Sequence, residues 1–162
     1  MRISLLLFLV LAVQTGPPTG TITGNIEIPP GLRTTKPNQV ALLTGEYVDF
    51  YQGNAQQRMD TYWEDYRSAF IQDKEAFMLF RERAKVQAFE LTLSRMRAND
   101  PLKATTFILT TSDSKFEFRG VPQGECKVVA RITAGNQEFV WSDSVIFTGE
   151  APAPVHLKPT VP

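Results

Sequence analysis

The chain has 162 residues, of which 43 % are hydrophobic, and its 17 basic residues balance 17 acidic ones. This length suits one domain with an elaboration, and the apolar fraction can fill a core, which excludes disorder throughout the chain. A balanced charge without a basic stripe gives no source of electrostatic attraction for nucleic acid or for an anionic lipid surface. We therefore expect neither of these partners.

The first residues have the layout of a secretory signal peptide. Arg2 makes a positive start, residues 5–13 are uninterrupted apolar sequence, and a polar, turn-like segment follows. The apolar run is about half of the ~20 residues that a transmembrane helix needs, so we expect export and no stable membrane span. We assign residues 1–19 to a signal peptide and spacer, with cleavage near residues 14–20, and expect a secreted or periplasmic protein.

Two half-buried strands are predicted at residues 21–28 and 38–44. In each of them, apolar residues recur with the period of two that places every second side chain on the same face of a sheet. The side chains predicted to face the core are those of Ile22, Ile26, Ile28, Val40 and Leu42.

The next segment is predicted to be helical. Residues 54–99 contain no Gly or Pro, and their apolar residues recur at intervals of three and four. Asn54 with Gln57 resembles a capping box, and Pro101 lies just beyond the expected end. One unbroken helix would be about 65 to 70 Å long, whereas a chain that returns to the same sheet needs its ends close together. We therefore favour two helices that meet near residues 72–73, with one long helix and a partner as the alternative.

Five further strands are predicted at residues 105–111, 115–119, 125–133, 139–147 and 155–157. The fourth of them is expected to contain a bulge at residues 142–144, where Ser-Asp-Ser breaks the apolar pattern. Short strands at close spacing predict an all-β sandwich. The expected fold is mainly β: a seven-stranded antiparallel sandwich at residues 20–159, with a helical insertion at residues 46–100 between the second and third strands.

The later strands also predict core positions. The side chains expected to face the core are those of Phe116, Phe118, Cys126, Val128, Ala130 and Ile132. Cys126 is the only cysteine, so no disulfide can form within the chain. Its register with the apolar residues of its strand favours core packing over a reactive thiol.

One ordered series of residues resembles a known family. Residues 110–130 read Thr-Thr-Ser-Asp-Ser-Lys-Phe-Glu-Phe-Arg-Gly-Val-Pro-Gln-Gly-Glu-Cys-Lys-Val-Val-Ala, after Gly24 in the first strand and an apolar stretch at residues 40–43. This series resembles the carboxypeptidase regulatory-like domain family, which is related to the prealbumin-like and carbohydrate-binding-like sandwiches. The resemblance covers residues 20–43 and 105–159 and leaves the helical insertion unmatched.

The resemblance implies a prealbumin-like Greek-key sandwich and carries little information on activity. Ser114 stands where the family usually has a glycine, and Cys126 where it usually has an aromatic residue. Some prealbumin-like relatives are hydroxyisourate hydrolases that use histidines, an arginine and a C-terminal Tyr-Arg-Gly-Ser motif. This chain ends in Pro-Thr-Val-Pro, so the resemblance does not extend to that activity.

Residues suited to catalysis are scarce in this sequence. His156 is the only histidine, and it lies in a short terminal strand without a second His or Cys at metal-ligand spacing. The acidic and basic residues of the helical insertion alternate, which is typical of a solvated helix face. We expect no enzymatic activity, no metal and no cofactor.

The aromatic residues are the remaining candidates for function. A broad stripe on the insertion, which we take as a possible interaction surface, comprises Tyr62, Trp63, Tyr66, Phe70, Phe77 and Phe80. A second stripe beside it comprises Leu79, Val86, Phe89, Leu93 and Met96. We expect the helices to cover the apolar outer face that Ala41, Leu43 and Ile108 give to the flanking strands. Dimerisation through the helices and capture of another exported protein are the alternatives.

A second candidate site lies on one strand, where Phe139 and Trp141 form a possible stacking platform for a sugar ring, although core packing is the more common role of such a pair. We expect an exported, non-catalytic binding or accessory module that recognises a protein surface. The alternatives are a homodimeric structural protein of the cell envelope and a carbohydrate-binding module.

Overall fold

The computed structural model describes residues 19–149 and 154–159, so the predicted signal peptide and its cleavage site lie outside the described residues. The described residues form seven strands and three helices. In chain order these are β1 (Thr19–Ile26), β2 (Asn38–Thr44), α1 (Glu46–Gln72), α2 (Lys74–Asn99), α3 (Pro101–Phe107), β3 (Ile108–Thr111), β4 (Lys115–Pro122), β5 (Gly124–Ala134), β6 (Gln137–Phe147) and β7 (Val155–Leu157).

The balance of helix and strand differs from the expectation. Helix accounts for 44 % and strand for 38 % of the described residues, so the fold is mixed α/β and the prediction of a mainly β class is wrong. The reason is that the segment between β2 and β3 contributes more residues than all of the strands together. The predicted number of strands is confirmed within the described residues.

The strands form two sheets. One has three strands in the order β4-β1-β7, and the other has four in the order β3-β2-β5-β6. Every pair is antiparallel except β1 with β7, which is parallel, so the expectation of a fully antiparallel arrangement is wrong at the last strand. A tight hairpin makes neighbouring strands antiparallel. The chain instead crosses from β6 of the other sheet to reach β7, so no hairpin fixes the direction of β7.

Buried residues of the two sheets form one continuous core. Ile22 and Phe118, which are partners across β1 and β4, are both fully buried. Gly24 lets the backbones of β1 and β7 approach, because a Cβ atom there would lie 2.3 Å from the carbonyl oxygen of Val155. The predicted core positions that are buried are Ile22, Ile26, Val40, Leu42, Phe116, Phe118, Cys126, Val128, Ala130 and Ile132, and Ile28 is partly buried beside them.

The helices form a further layer on the other face of the four-stranded sheet. Ala41, Leu43 and Val129 point away from the three-stranded sheet by strand alternation, yet each is 0 % exposed. Phe89 and Leu93 of α2 belong to the same core cluster. The prediction that helices cover this face is therefore confirmed for Ala41 and Leu43, whereas Ile108 is half-buried.

Helices α1 and α2 form an antiparallel hairpin, as favoured from the sequence. They are separated by Asp73 alone, whose φ of −130° and ψ of 98° break the helix. The carboxylate of Asp73 accepts hydrogen bonds from the backbone N–H groups of Glu75 (2.9 Å) and Ala76 (3.1 Å), which caps the start of α2. The extended backbone of Asp73 thus ends α1, and its side chain caps the start of α2, without Gly or Pro at the turn.

The start of α1 differs from the prediction. The helix begins at Glu46, after Gly45 with a φ of 54°, and not at Asn54. The side chain of Asn54 does not cap a helix; its amide donates to the carbonyl oxygen of Phe50 at 2.8 Å, one turn earlier. Gly53 is accommodated inside the helix. Tyr47, Val48 and Tyr51 are buried in the first turns, so packing outweighs the low helix propensity of that glycine.

The segment after Pro101 also differs from the prediction. A short helix, α3, occupies residues that were predicted to begin a strand, and β3 starts only at Ile108. The Asp100 side chain accepts a hydrogen bond from the Lys103 N–H at 3.1 Å, and Pro101 lies in the first turn, where its missing N–H costs nothing. The proline that signals the end of α2 therefore also begins α3.

The predicted bulge in β6 is absent. Residues of β5 and β6 pair without interruption from Gly124 with Phe147 to Ala134 with Gln137. Ser142, Asp143 and Ser144 are exposed, and β6 is the edge strand of its sheet. Polar side chains at such an edge remain in water, so they do not require a break in the strand.

Candidate functional site

The six aromatic residues of the predicted stripe pack against one another across the hairpin. Four of the rings belong to α1, and they meet Phe77 and Phe80 of α2. The ring centroids are 5.0 Å apart for Tyr62 and Phe80, 4.9 Å for Tyr66 and Phe80, 5.6 Å for Phe70 and Phe77, and 6.1 Å for Trp63 and Phe77. Most of these pairs have edge-to-face or tilted geometry, which aromatic rings prefer. The structure thus brings all six predicted residues together as one aromatic cluster.

The aromatic cluster lies outside the continuous core of the sheets. Phe70 is its only fully buried ring at 6 % exposure, and it is not part of the core that the strands share with the helices. Residues that cover the sheet come from the other ends of the two helices, such as Tyr47 in α1 and Met96 in α2. The stripe was expected to be buried against the sheet, but it is stabilised within the hairpin itself.

Polar contacts fix the register of the hairpin next to this cluster. The side-chain carbonyl of Gln87 accepts hydrogen bonds from the Arg58 guanidinium at 3.1 Å and from the Tyr62 hydroxyl at 3.0 Å. Helix α1 has a kink at Tyr66, where φ is −124° and ψ is 17°. The kink coincides with the residue whose ring packs on both Phe70 and Phe80.

Part of this end of the hairpin remains in contact with solvent. Trp63 is 41 % exposed, Tyr66 45 % and Ile71 69 %, and all three belong to the last turns of α1. We refer to these three residues as the aromatic end. Large apolar side chains exposed together are less common on monomeric proteins than scattered single ones, and they mark candidate interaction sites.

A groove separates the hairpin from the edge of the four-stranded sheet. It has a volume of about 940 Å³, and one wall is the first half of α2. The other wall is formed by the β5–β6 turn, by Phe139 and Trp141 of β6, and by Pro159 after β7. The carboxylate of Glu82 accepts a hydrogen bond from the backbone N–H of Val140 at 3.3 Å, so α2 lies along the outer edge of β6.

The groove brings the second candidate pair together with α2. Phe139 is half-buried, but Trp141 is only 4 % exposed. A sugar that stacks on an aromatic residue needs an uncovered ring face, and little of the Trp141 ring is uncovered.

The α2 wall of the groove was not predicted as a site. Leu79 and Val86 were assigned to the second apolar stripe, and Leu79 is 56 % exposed, although Phe89 on the same stripe is fully buried.

Two groups with possible reactivity have simple structural roles. The Cys126 side chain is 1 % exposed, and its thiol donates to the carbonyl oxygen of Val145 at 3.3 Å. Burial, reinforced by nearby Glu125, raises the pKa of this thiol to about 11, so the reactive thiolate is scarce at neutral pH. His156 is about half exposed, and its Nδ1 lies 3.3 Å from a carboxylate oxygen of Glu27.

Within residues 19–149 and 154–159, no group of three or more His, Cys, Asp or Glu side chains is arranged to hold a metal ion. None of the helices in this part of the chain combines the length and apolarity that crossing a bilayer requires. Comparisons with protein-family models, with curated proteins and with solved structures found no match to this chain.

Proposed function

We propose that this chain is an exported, non-catalytic binding module that recognises another protein through the aromatic end of its helical hairpin. The observation that carries the proposal is the exposure of Trp63 and Tyr66 on a cluster that is already packed, with Ile71 exposed further along the same helix. Export rests on the signal-peptide pattern at residues 1–19.

The packing beneath the aromatic end suits it to recognition. Trp63 stacks on Phe70 with the ring centroids 6.2 Å apart, and Tyr66 packs on Phe70 at 6.1 Å. Side chains that are held in place before binding lose little conformational entropy when a partner arrives. Trp and Tyr are also the residue types that most often dominate the binding energy of protein interfaces.

The size of the aromatic end favours a transient partner over a permanent dimer. A stable interface buries about 800 Å² on each partner, and three partly exposed side chains supply only a fraction of that area. Around them, Glu64, Asp65 and Arg67 are exposed and of mixed sign, so the surface has no strong charge that would select a highly charged partner.

We also propose that the two sheets form a prealbumin-like Greek-key sandwich of the carboxypeptidase regulatory-like type. The support comes from the residues of the resemblance: Phe116 and Phe118 alternate into the core, and Val121 and Pro122 lead into a tight connection at Gly124. In that proposal, the hairpin is an addition that distinguishes this chain from a plain domain of the family.

The test is site-specific photo-crosslinking in the cells that produce the protein. A photoreactive phenylalanine analogue replaces Tyr66 in the aromatic end, and in a control it replaces exposed Gln52, which lies near the opposite end of the same helix. We expect one discrete adduct from position 66, identified by mass spectrometry as one other exported protein, with no such adduct from position 52.

A companion variant, Trp63→Ser in the chain that carries the analogue at position 66, is expected to reduce the adduct severalfold. An adduct of two copies of this chain would instead support the homodimeric alternative. Equal labelling from positions 66 and 52, or no adduct from either position, would contradict the proposal.

A further inference from the structure

The groove between α2 and β6 exists because the second apolar stripe of α2 extends beyond the sheet. Leu93, Phe89 and Val86 follow one another along this stripe, and all three are buried. One to two turns earlier, Met78 and Leu79 continue the stripe, but they line the open groove. No strand lies beneath them within the described residues, because β6 is the last strand of its sheet.

The interior of the groove is largely apolar. Met78, Leu79 and Val86 face it from α2, and Phe139, Trp141 and Pro159 face it from the other side. An apolar body that filled this space would remove the exposed surface of Leu79 from water, which is favourable in proportion to the area buried.

The charges around the groove leave an excess of positive charge after internal pairing. Among its acidic residues, Glu82 binds the Lys85 ammonium at 2.7 Å and the Val140 N–H at 3.3 Å. Glu138 accepts from the Thr133 hydroxyl at 3.5 Å and lies 4.0 Å from Arg131, which pairs more closely with Glu90 at 2.6 Å. Glu75 has no such partner in the described part of the chain, so Glu75 and Glu138 leave two negative charges against the three positive charges of Lys74, Arg81 and Arg83.

The basic residues of the groove have few carboxylate or hydrogen-bond partners. Within the described residues, Lys74 and Arg83 have no carboxylate oxygen within 4.0 Å. The Nε atom of Arg81 is buried without a hydrogen-bond acceptor, and the nearest carboxylate, that of Glu82, is 3.9 Å away. The buried Nε atoms of Arg58 and Arg95 also lack a partner, but those two guanidinium groups donate elsewhere, whereas Arg81 makes no hydrogen bond there.

We propose that this groove binds a small amphipathic organic anion. Its apolar chain or ring lies between Leu79 and Phe139, and its carboxylate or sulfonate accepts hydrogen bonds from the Arg81 guanidinium, with Lys74 and Arg83 adding attraction. The donors are the terminal Nη groups of Arg81, which make no hydrogen bond within the described residues, and a charge-assisted pair of this kind fixes the orientation of the ligand. The site is separate from the aromatic end and does not depend on its role.

The test uses two probes and the full mature chain. Binding of 1-anilinonaphthalene-8-sulfonate is followed by its fluorescence, and dodecanoate is then added as a competitor. We expect one saturable site from which dodecanoate displaces the dye, whereas dodecyltrimethylammonium, with a similar chain and the opposite charge, does not. The affinity for dodecanoate should fall as salt is added, because the site attracts its ligand by charge.

Substitutions locate the site. Arg81→Gln is expected to raise the Kd for dodecanoate about tenfold, the effect of losing one charge-assisted hydrogen bond. Leu79→Ser should raise it severalfold. The matched controls are Arg119→Gln and Leu102→Ser, which change exposed residues away from the groove and should leave the Kd unchanged.

Three results would overturn the proposal: equal displacement by the anionic and the cationic competitor, an unchanged Kd in Arg81→Gln, or a loss of dye binding in Trp63→Ser as large as that in Leu79→Ser. The last result would show that the dye reports on the aromatic end. Circular dichroism of each variant confirms that it is folded, and Arg81→Lys, which keeps the charge, is expected to recover part of the affinity if Arg81→Gln does not fold.

Discussion

Ser114 lies in the turn between β3 and β4 with a φ of 63°, a left-handed conformation that residues with a Cβ atom adopt at a cost. Its neighbour Asp113 organises this turn. The Asp113 carboxylate accepts hydrogen bonds from the Thr111 hydroxyl at 2.6 Å and from the Lys115 N–H at 3.2 Å. The family that this sequence resembles usually has a glycine at this position, and a glycine would adopt the left-handed backbone without that cost.

We expect Ser114→Gly to raise the free energy of unfolding by about 0.5–1 kcal/mol. Relief of the left-handed conformation gains about 1–2 kcal/mol, and the greater freedom of glycine in the unfolded chain offsets part of it. The matched control is Ser112→Gly in the same turn, which has no positive φ to relieve and should lower the stability by a few tenths to about 1 kcal/mol. Urea unfolding of the three proteins measures both effects, and a destabilised Ser114→Gly would contradict the account.

The stabilities of the Ser114→Gly and Ser112→Gly variants should be compared at neutral pH. The Thr111 hydroxyl, followed by the Lys115 N–H, lowers the pKa of Asp113 below its ordinary value. A group whose folded pKa is lowered stabilises the folded state above its unfolded pKa, and this contribution is lost as the pH falls through the lowered value. At pH 7 the turn is therefore intact in both variants.

At the scale of elements, the joint of the hairpin depends on one side chain. Asp73 is the only residue between α1 and α2, and its carboxylate holds two backbone N–H groups of α2. We expect Asp73→Ala to lower the free energy of unfolding by about 1 kcal/mol, the usual cost of a lost N-cap. Asp60→Ala is the control, since Asp60 only accepts an exposed hydrogen bond from Gln56, and it should change stability by less than about 0.5 kcal/mol. Equal losses in the two variants would show that Asp73 is not a cap of this importance.

Strands were easier to predict than helix boundaries, for a physical reason. In β5 the alternation of Cys126, Val128 and Ala130 directly reflects which side chains the core buries. The start of α1 was predicted too late, at Asn54, because the helical pattern was taken from the stretch without Gly or Pro, whereas burial of Tyr47 outweighs the helix-breaking tendency of Gly53. Local propensity determines a boundary only when tertiary packing does not oppose it.

The two candidate sites also differ in how much of each could be predicted from the sequence. The six aromatic residues could be identified from helical spacing alone, since side chains three or four positions apart share a face. The turn of the hairpin near residues 72–73 was also predicted, but the mutual packing of the rings was not, because it depends on how the two helices cross. The groove was not predicted, because its existence depends on how far α2 extends beyond β6. That distance is set by the lengths of α2 and β6 and by the position at which the helix crosses the strand. No residue pattern in the sequence predicts how far α2 extends beyond β6.

At the scale of the whole molecule, the hairpin has two roles. The half near the sheets buries Ala41, Leu43 and Val129, and Arg131 of the sheet pairs with Glu90 of α2 at 2.6 Å. The far half holds the aromatic cluster apart from that core. The helices are therefore part of the protein's own core at one end and present a separate surface at the other.

We propose that one chain is a folded monomer and that its aromatic end binds a different protein. Light scattering of the mature protein over a hundredfold range of concentration tests this claim most directly, with Trp63→Ser measured beside it. The account predicts the mass of one chain at every concentration for both proteins. A mass that rises towards two chains with concentration, and does so only when Trp63 is intact, would contradict it and identify the aromatic end as a dimer interface.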